Sequence, residues 1–543
     1  MPRIRNSGFT ILGLLGLLLL TPMGHAADPD TKSAARAHFQ TSDRCVVCHN
    51  GMVNAAGDEY SIGLDWRVSL MANSSRDPYW QASLRRETLD HPSAQAAIED
   101  ECSACHMAIP HYEATQRGQP TDVLAHLPLT AHASRIHEDG VTCTVCHQIT
   151  PERLGTAASY NGNFVIGGTQ ADGSHPEFGP YDIDQGLQQL MRTSTEGYQP
   201  QYGAQIQTPE LCASCHTLIT TARDAQGKEV GSLPEQMVYQ EWQHSDFRAQ
   251  RTCQSCHMPE VPAQIAVSRI LAAPRPNAKR HFFVGANFVM QKILGRWHDE
   301  LDVVAEPGEL YAAAERTSHF LQSQAAALTL APLRLEGTRL IADITVENLG
   351  GHKLPTAYPA RRTWLHVAVH DRNGRLLFES GALKDDGSIV GNDNDADPSR
   401  FEPHYREIRS PDQVQIYEAI LADPQGHPTT GLITATQYLK DNRLLPRGFD
   451  KRSAAPDIAV HGDALADPGF DDRGHRIRYS IDVEAAEGPL VVAVELWYQP
   501  IGYRWARNLA TYDAEETRRF GGYFDSLGRG SAVVLAAASG ATH

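Results

Sequence analysis

The chain has 543 residues, with 65 acidic against 48 basic side chains and a formal charge of −17. That length fits two or three domains, and the acidic balance excludes a general affinity for nucleic acid, pointing to basic partners or plain solubility. Hydrophobic residues make up 41% of the chain, a modest share for so long a protein.

The N-terminus comes first. Arg3 and Arg5 precede an apolar run over residues 9–20, and Gly24, His25 and Ala26 supply a small-x-small cleavage pattern. This reads as an export signal over residues 1–26, cleaved after Ala26. The run is shorter than the roughly 20 residues a spanning helix needs. No later stretch is long and apolar enough either, so no transmembrane segment is expected after cleavage, and the expected location is periplasmic or extracellular.

Beyond the signal, Cys-x-x-Cys-His occurs five times: at Cys45, Cys48 and His49; at Cys102, Cys105 and His106; at Cys143, Cys146 and His147; at Cys212, Cys215 and His216; and at Cys253, Cys256 and His257. These use all ten cysteines. The pattern is that of covalent c-type haem attachment, in which two thiols add to the vinyl groups of one haem and the histidine ligates its iron. A disulfide or zinc site does not need a histidine after every second cysteine. Five covalently attached haem c groups are therefore expected, each adding two propionates to an already acidic chain. Their macrocycles would substitute for side-chain core, which suits the modest hydrophobic content.

Between motifs the chain is rich in Gly, Pro, Asp and His, with helices expected over residues 79–87, 287–297 and 308–327. Each iron also needs a sixth ligand or an open position. The chain has 25 histidines, and those in this region outnumber the demand: His38, His91, His111, His126, His132, His137, His175, His244, His281, His298 and His319. His91 (before Pro92), His111 (five residues after His106), His137 (before the third motif) and His281 (at a loop-to-helix junction) are the preferred distal ligands. Met71 is a further candidate, with a core position as its ordinary alternative.

Three stretches carry a resemblance: residues 139–149 (DGVTCTVCHQI), residues 210–218 (ELCASCHTL), and residues 239–245 (YQEWQHS) with 253–259 (CQSCHMP). They look like exported bacterial multihaem cytochromes, the group that includes tetrahaem electron carriers and multihaem nitrite and hydroxylamine enzymes. The resemblance covers most of residues 40–300. It implies close-packed haems, mostly bis-histidine, relaying single electrons. The pentahaem nitrite reductases of that group carry lysine in place of one motif histidine, and this chain has no such motif.

After about residue 327 the texture changes to two-residue alternation. Residues 333–346 read as a hairpin turning at 336–338. Residues 363–370 and 375–378 form a second, around the turn at Asn373-Gly374. Further strands are expected at 478–483 and 490–498, with long loops over 383–475. The expected architecture is multidomain: a mostly α and irregular multihaem cytochrome c domain over residues 27–325, then an all-β immunoglobulin-like sandwich over 326–543. Within the latter, Gly350-Gly351-His352-Lys353-Leu354-Pro355 forms a rigid close-approach loop, and His352 is expected to cap a haem iron across the interface. Arg361, Arg362 and Arg504 are candidate propionate partners or ordinary ion-pair partners.

The leading functional reading is an electron-transfer protein with redox protein partners, with docking to a membrane complex as a further role. The alternative is an oxidoreductase acting on a small nitrogen or sulfur compound at one open haem.

Overall fold

The computed structural model describes residues 38–54, 56–127, 135–484 and 486–542. The expected export signal and His132 lie outside these residues. The first long helix, α1 (Pro78–Asp90), starts at Asp77, whose carboxylate accepts the backbone N–H groups of Tyr79 and Trp80. Pro78 fits the first turn, where no N–H is needed. Helix α2 (Gln95–His106) ends on the second motif. A hairpin of β1 (Thr217–Arg223) and β2 (Glu229–Met237), not expected from the residue pattern, separates the fourth motif from the fifth. Helices α3 (Phe288–Arg296) and α4 (Pro307–Gln324) follow, the latter opened by a reciprocal Glu306/Glu309 capping box.

All three expected helices are present. The last stops earlier than its pattern suggested, because strand β3 (Ala326–Leu330) pairs antiparallel with β5 (Arg339–Asn348). β4 (Arg334–Glu336) turns back onto the same β5 with Leu335 opposite Leu340, as the hairpin pattern requires. β6 (Arg362–His370) pairs with β7 (Leu376–Ser380), and β8 (Gly474–Asp482) pairs with β5. β9 (Val491–Gln499) lies against β6.

These strands form two sheets. Leu340, Ala342, Ile344 and Val346 of β5, with Ile477, Tyr479 and Ile481 of β8, supply one buried face. Leu365, Val367 and Val369 of β6, with Val492, Val494 and Leu496 of β9, supply the other. Alternation at a period of two is what buries one face of each strand.

The all-β expectation for the C-terminal part needs correction. Helices α5 (Tyr503–Leu509) and α6 (Glu515–Asp525) interrupt it before β10 (Val533–Ala541) pairs with β9. Helix α6 lies on α1: Arg85 makes a two-pronged ion pair with Glu516 (3.0 and 2.9 Å), and Phe520 packs on Tyr79. Residues 383–475 are also more ordered than expected, with Ala419–Ala422 and Gln437–Asp441 paired as strands. One apolar interior joins Phe288, Ile293 and Leu310 of the motif-bearing part to Ile344, Leu365 and Val494 of the sheets. No helix among the described residues is long and apolar enough to cross a membrane.

Candidate functional site

Each motif sits on a helical turn, and the spacing explains why. Residues three and four apart share a helix face, so the two thiols and the histidine of one motif project together. Cys143–Cys146 forms such a turn, capped by the Thr142 hydroxyl accepting from Val145 N–H. Cys253–His257 forms another, capped by Thr252. The second and fourth motifs end α2 and the helix Pro209–His216. All ten cysteines are free thiols. Gly140, just before the third motif, has φ +60°, and a Cβ there would stand 2.3 Å from the Met71 carbonyl oxygen. The chain can approach Met71 this closely only as glycine. Half-buried Met71 itself receives Val141 N–H on that carbonyl at 2.9 Å.

Four of the five motif histidines are aimed by their other ring nitrogen. Nδ1 of His49 donates to Val267 O at 2.6 Å, and Nδ1 of His147 to Phe178 O at 2.6 Å. Nδ1 of His106 donates to Ser74 O at 3.2 Å, and Nδ1 of His257 to Val284 O at 2.5 Å. A carbonyl only accepts, so the proton is on Nδ1 and the lone pair is on Nε2. That is how metal-binding imidazoles are oriented elsewhere. Burial pushes all five motif histidines below their ordinary pKa, His106 and His257 to about 4. They are thus held in the neutral, ligating form.

The loop brings His352 beside the fifth motif. Its ring faces that of His257 with centroids 6.3 Å apart and planes 13° from parallel. A metal–imidazole bond is about 2 Å, so two imidazoles on opposite sides of one metal have their centroids about 6 Å apart. Nδ1 of His352 donates to Lys353 O at 3.0 Å, which leaves its Nε2 free as well.

A buried ion network fixes this loop. Lys353 Nζ pairs with Asp441 at 2.6 Å, and Arg443 bridges Asp441 (2.7 Å) to Glu241 (3.1 Å). Glu241 in turn accepts Lys353 N–H (3.1 Å) and the Thr356 hydroxyl (2.5 Å). Glu241 belongs to the helix Val238–Gln243, shortly before the fifth motif, so the network ties the β-rich part directly to that motif. A Cβ on Gly351 would meet the Phe247 side chain at 3.1 Å, the close approach that the glycines allow. Nothing in the sequence marked Glu241, Asp441 and Arg443 as partners.

The other preferred histidines divide. Half-buried His281 donates through Nδ1 to Lys279 O at 3.0 Å and lies within electrostatic reach of His147 and His49; desolvation lowers its pKa to about 3. His111 holds its Nδ1 against Asp100 at 3.3 Å. His137 meets His126 edge-on, with ring centroids 5.9 Å apart. His91 is different: its Nδ1 lies 3.1 Å from Asp224 O and its Nε2 3.1 Å from the Thr434 hydroxyl, so neither nitrogen is left for iron. His38 was only one of the surplus histidines in the sequence, yet its Nε2 is buried without a hydrogen-bond partner, beside His175 at 4.8 Å. Among the arginines, Arg362 is committed to a buried two-pronged pair with Asp395 (2.6 and 3.0 Å), and Arg504 donates to the Asn394 and Asp395 carbonyls. Both are structural partners. The Arg361 guanidinium donates to Thr356 O at 3.1 Å and lies within electrostatic reach of His216 and His257.

The motifs touch in a definite pattern. The Cys45 and Cys143 thiols lie within electrostatic reach of each other, as do those of Cys212 and Cys253, and the Cys105 thiol lies 3.9 Å from Cys215 O. His49 lies near His147, while His216 lies near both His106 and His257. Cys146 and Cys215 interact across the third and fourth motifs. The first motif thus adjoins the third, the third adjoins the fourth, and the fourth adjoins the second and the fifth.

His404, Asp467 and His475, all buried, form a separate cluster of metal-ligand type in the β-rich part. Here the Asn442 and Gln415 amide nitrogens face Nδ1 of His404 at 3.3 and 3.5 Å. Donors at Nδ1 put the ring proton on Nε2, which donates to Asp467 at 2.9 Å. The Tyr417 hydroxyl faces Nδ1 of His475 at 2.9 Å in the same way. His404 is thus hydrogen-bonded to the Asp467 carboxylate, while Nε2 of His475, 3.4 Å from the same carboxylate, is buried without a hydrogen-bond partner.

No family model and no curated protein matches the chain. Among solved structures, it is similar to a penta-heme cytochrome c552 from Thermochromatium tepidum, at 17% identity and a TM-score of 0.52, over 93% of this chain and 99% of that one. The chain has the fold of a multihaem cytochrome c.

Proposed function

We propose that the protein is an exported electron-transfer protein of the periplasm or cell exterior, carrying five haem c groups. The residues present fit that cofactor. Free thiols are paired on helical turns, and neutral imidazoles present Nε2. His257 and His352 face each other with ring centroids 6.3 Å apart and would hold one haem iron between them, and this observation carries the reading. Bound haem supplies one-electron ferric–ferrous cycling. The chain's part is to orient the ligands, to shield the irons from water and to set the order of the five centres. The contact pattern supports a path from the first motif through the third to the fourth, dividing there towards the second and the fifth. Axial ligation, burial and hydrogen bonding would tune the potentials along it. Donor and acceptor are redox proteins, and the sandwich is of the immunoglobulin-like type, packed on the haem-bearing part.

The spectrum of the oxidised protein tests this against the enzyme alternative. The carrier reading expects low-spin ferric signals from all five haems and no change on adding nitrite, hydroxylamine or cyanide. A high-spin haem that shifts with one of these ligands would replace it with an oxidoreductase.

A further inference from the structure

Between Glu260 and Asp299 the chain carries Arg269, Arg275, Lys279, Arg280, Lys292 and Arg296 and no carboxylate, in a protein of net charge −17. Four of these are absorbed. Arg280 pairs with Asp65 and Lys279 with Glu260, while Lys292 and Arg296 donate to Gly530 and Ser526. Arg269 and Arg275 have no carboxylate partner among the described residues.

Both belong to a small hairpin, Ile265–Ala266 paired with Pro274–Arg275, whose loop stands over the first motif. Val267 O holds His49, Arg269 N–H donates to Cys48 O at 2.9 Å, and the Arg269 guanidinium lies over Gly51. The tip is apolar and turned outward: Leu271, in the left-handed region at φ +49°, is 82% exposed and Ile270 40%. Around the same motif Val47 is 68% exposed and Val53 58%. Ile270 and Leu271, adjacent at the tip, with Val47 exposed inside the motif itself, mark an interaction site, whereas Val53 is bridged to exposed Glu59 and lies outside it.

We infer that this hairpin and the first motif form the docking surface for an acidic redox protein with an apolar contact face, making the first haem the port of electron exchange. The inference rests on the electron-carrier reading. Charge complementarity selects the partner. The chain's overall negative charge is screened beyond about 8 Å at physiological ionic strength, so the contact is governed by Arg269, Arg275 and the apolar tip. The pinning of the tip to Cys48 and His49 favours a protein partner over a lipid surface, because it puts the patch at a cofactor edge.

The test uses the haem-loaded full chain with an acidic flavodoxin as probe, at about 0.15 M salt. One electron leaves the flavodoxin hydroquinone anion, which becomes the neutral semiquinone, and one ferric centre becomes ferrous; no proton changes hands. Calorimetric binding of oxidised flavodoxin and stopped-flow reduction by its hydroquinone are each expected to weaken about tenfold or more in R269E/L271D and by a smaller factor in R269E alone. Leu335→Asp, an exposed site on β4, should leave both unchanged. Equal binding by wild type and R269E, or no binding by wild type, overturns the docking inference. Wild-type binding to anionic phospholipid vesicles that R269E/L271D loses overturns it in favour of a membrane. Dithionite reduction separates the two levels: a protein that dithionite cannot reduce fails as a carrier altogether, whereas normal dithionite reduction with any of the overturning results removes only the docking surface.

Discussion

The two halves of the molecule solve the problem of an interior in different ways. In the sheets, β5, β8, β6 and β9 alternate apolar residues inward, and the core closes with side chains alone. Around the motifs the apolar clusters are small and separate: Trp80 with Leu84 and Ile98, Phe39 with Ile109 and Val145, Tyr60 with Val261 and Ile265. That half is arranged around helical turns, carbonyl-anchored histidines and motifs that adjoin one another. The difference teaches that the β-rich half is specified by pattern and the motif half by cofactor geometry. Their shared elements, α6 on α1 and the 350–356 loop on the fifth motif, are where one supports the other.

The sharpest way to break this comparison is to remove one cofactor. Cys212→Ala with Cys215→Ala should lower the mass by one haem and, because the fourth motif adjoins three others, isolate the first and third from the second and fifth. Stopped-flow reduction should then become biphasic, with part of the absorbance change slowed by orders of magnitude. A single fast phase would remove the junction.

Cutting the tie between the halves ranks next. Lys353→Met leaves Asp441 short of a buried partner, a loss worth about 3–5 kcal/mol. The urea midpoint of the loaded protein should fall accordingly, and the low-spin signal of one haem should weaken with it. Within the sheets, Leu365→Ala should cost about 2–5 kcal/mol by cavity formation, equally with or without haem, as read by denaturation of both forms. A cost that appears only in the loaded form would show that the sheets too depend on the cofactor.

The smallest effect is a pH dependence. Buried Glu235 accepts the Thr220 hydroxyl at 2.6 Å, and desolvation, with Glu101 and Glu87 nearby, raises its pKa to about 7. The folded state therefore holds this proton more tightly than the unfolded chain. The resulting stability is present at low pH and is lost as pH rises through about 7. Glu235→Gln should flatten the decline in melting temperature between about pH 5 and about pH 8; an unchanged slope would assign the decline to other groups.

What the sequence disclosed follows the same division. Local signals were sufficient for the cysteines, the motif histidines, the expected helices and the alternating strands. The close approach of the His352 loop was legible because glycines and proline frame it. His91 was misjudged because the groups that occupy its nitrogens, Asp224 and Thr434, are brought to it only by the fold. Arg362 reads like a propionate partner until Asp395 is folded beside it. Helices α5 and α6 escaped because their apolar faces make sense only against α1. The adjacency of the motifs is a property of tertiary structure alone.

The loop at His352 has one more consequence. On the proposed electron-carrier reading, His352 would give the iron at the fifth motif its sixth ligand from the half of the chain that folds by pattern, and its loop is clamped by Lys353, Asp441, Arg443 and Glu241. Local opening of the β-rich half withdraws that imidazole before the covalent attachment at Cys253 and Cys256 is disturbed. In the loaded protein the spin state at the fifth motif is therefore a built-in gauge of sub-global unfolding, and its loss under urea measures the opening free energy of the distant sheets from a single visible absorption band.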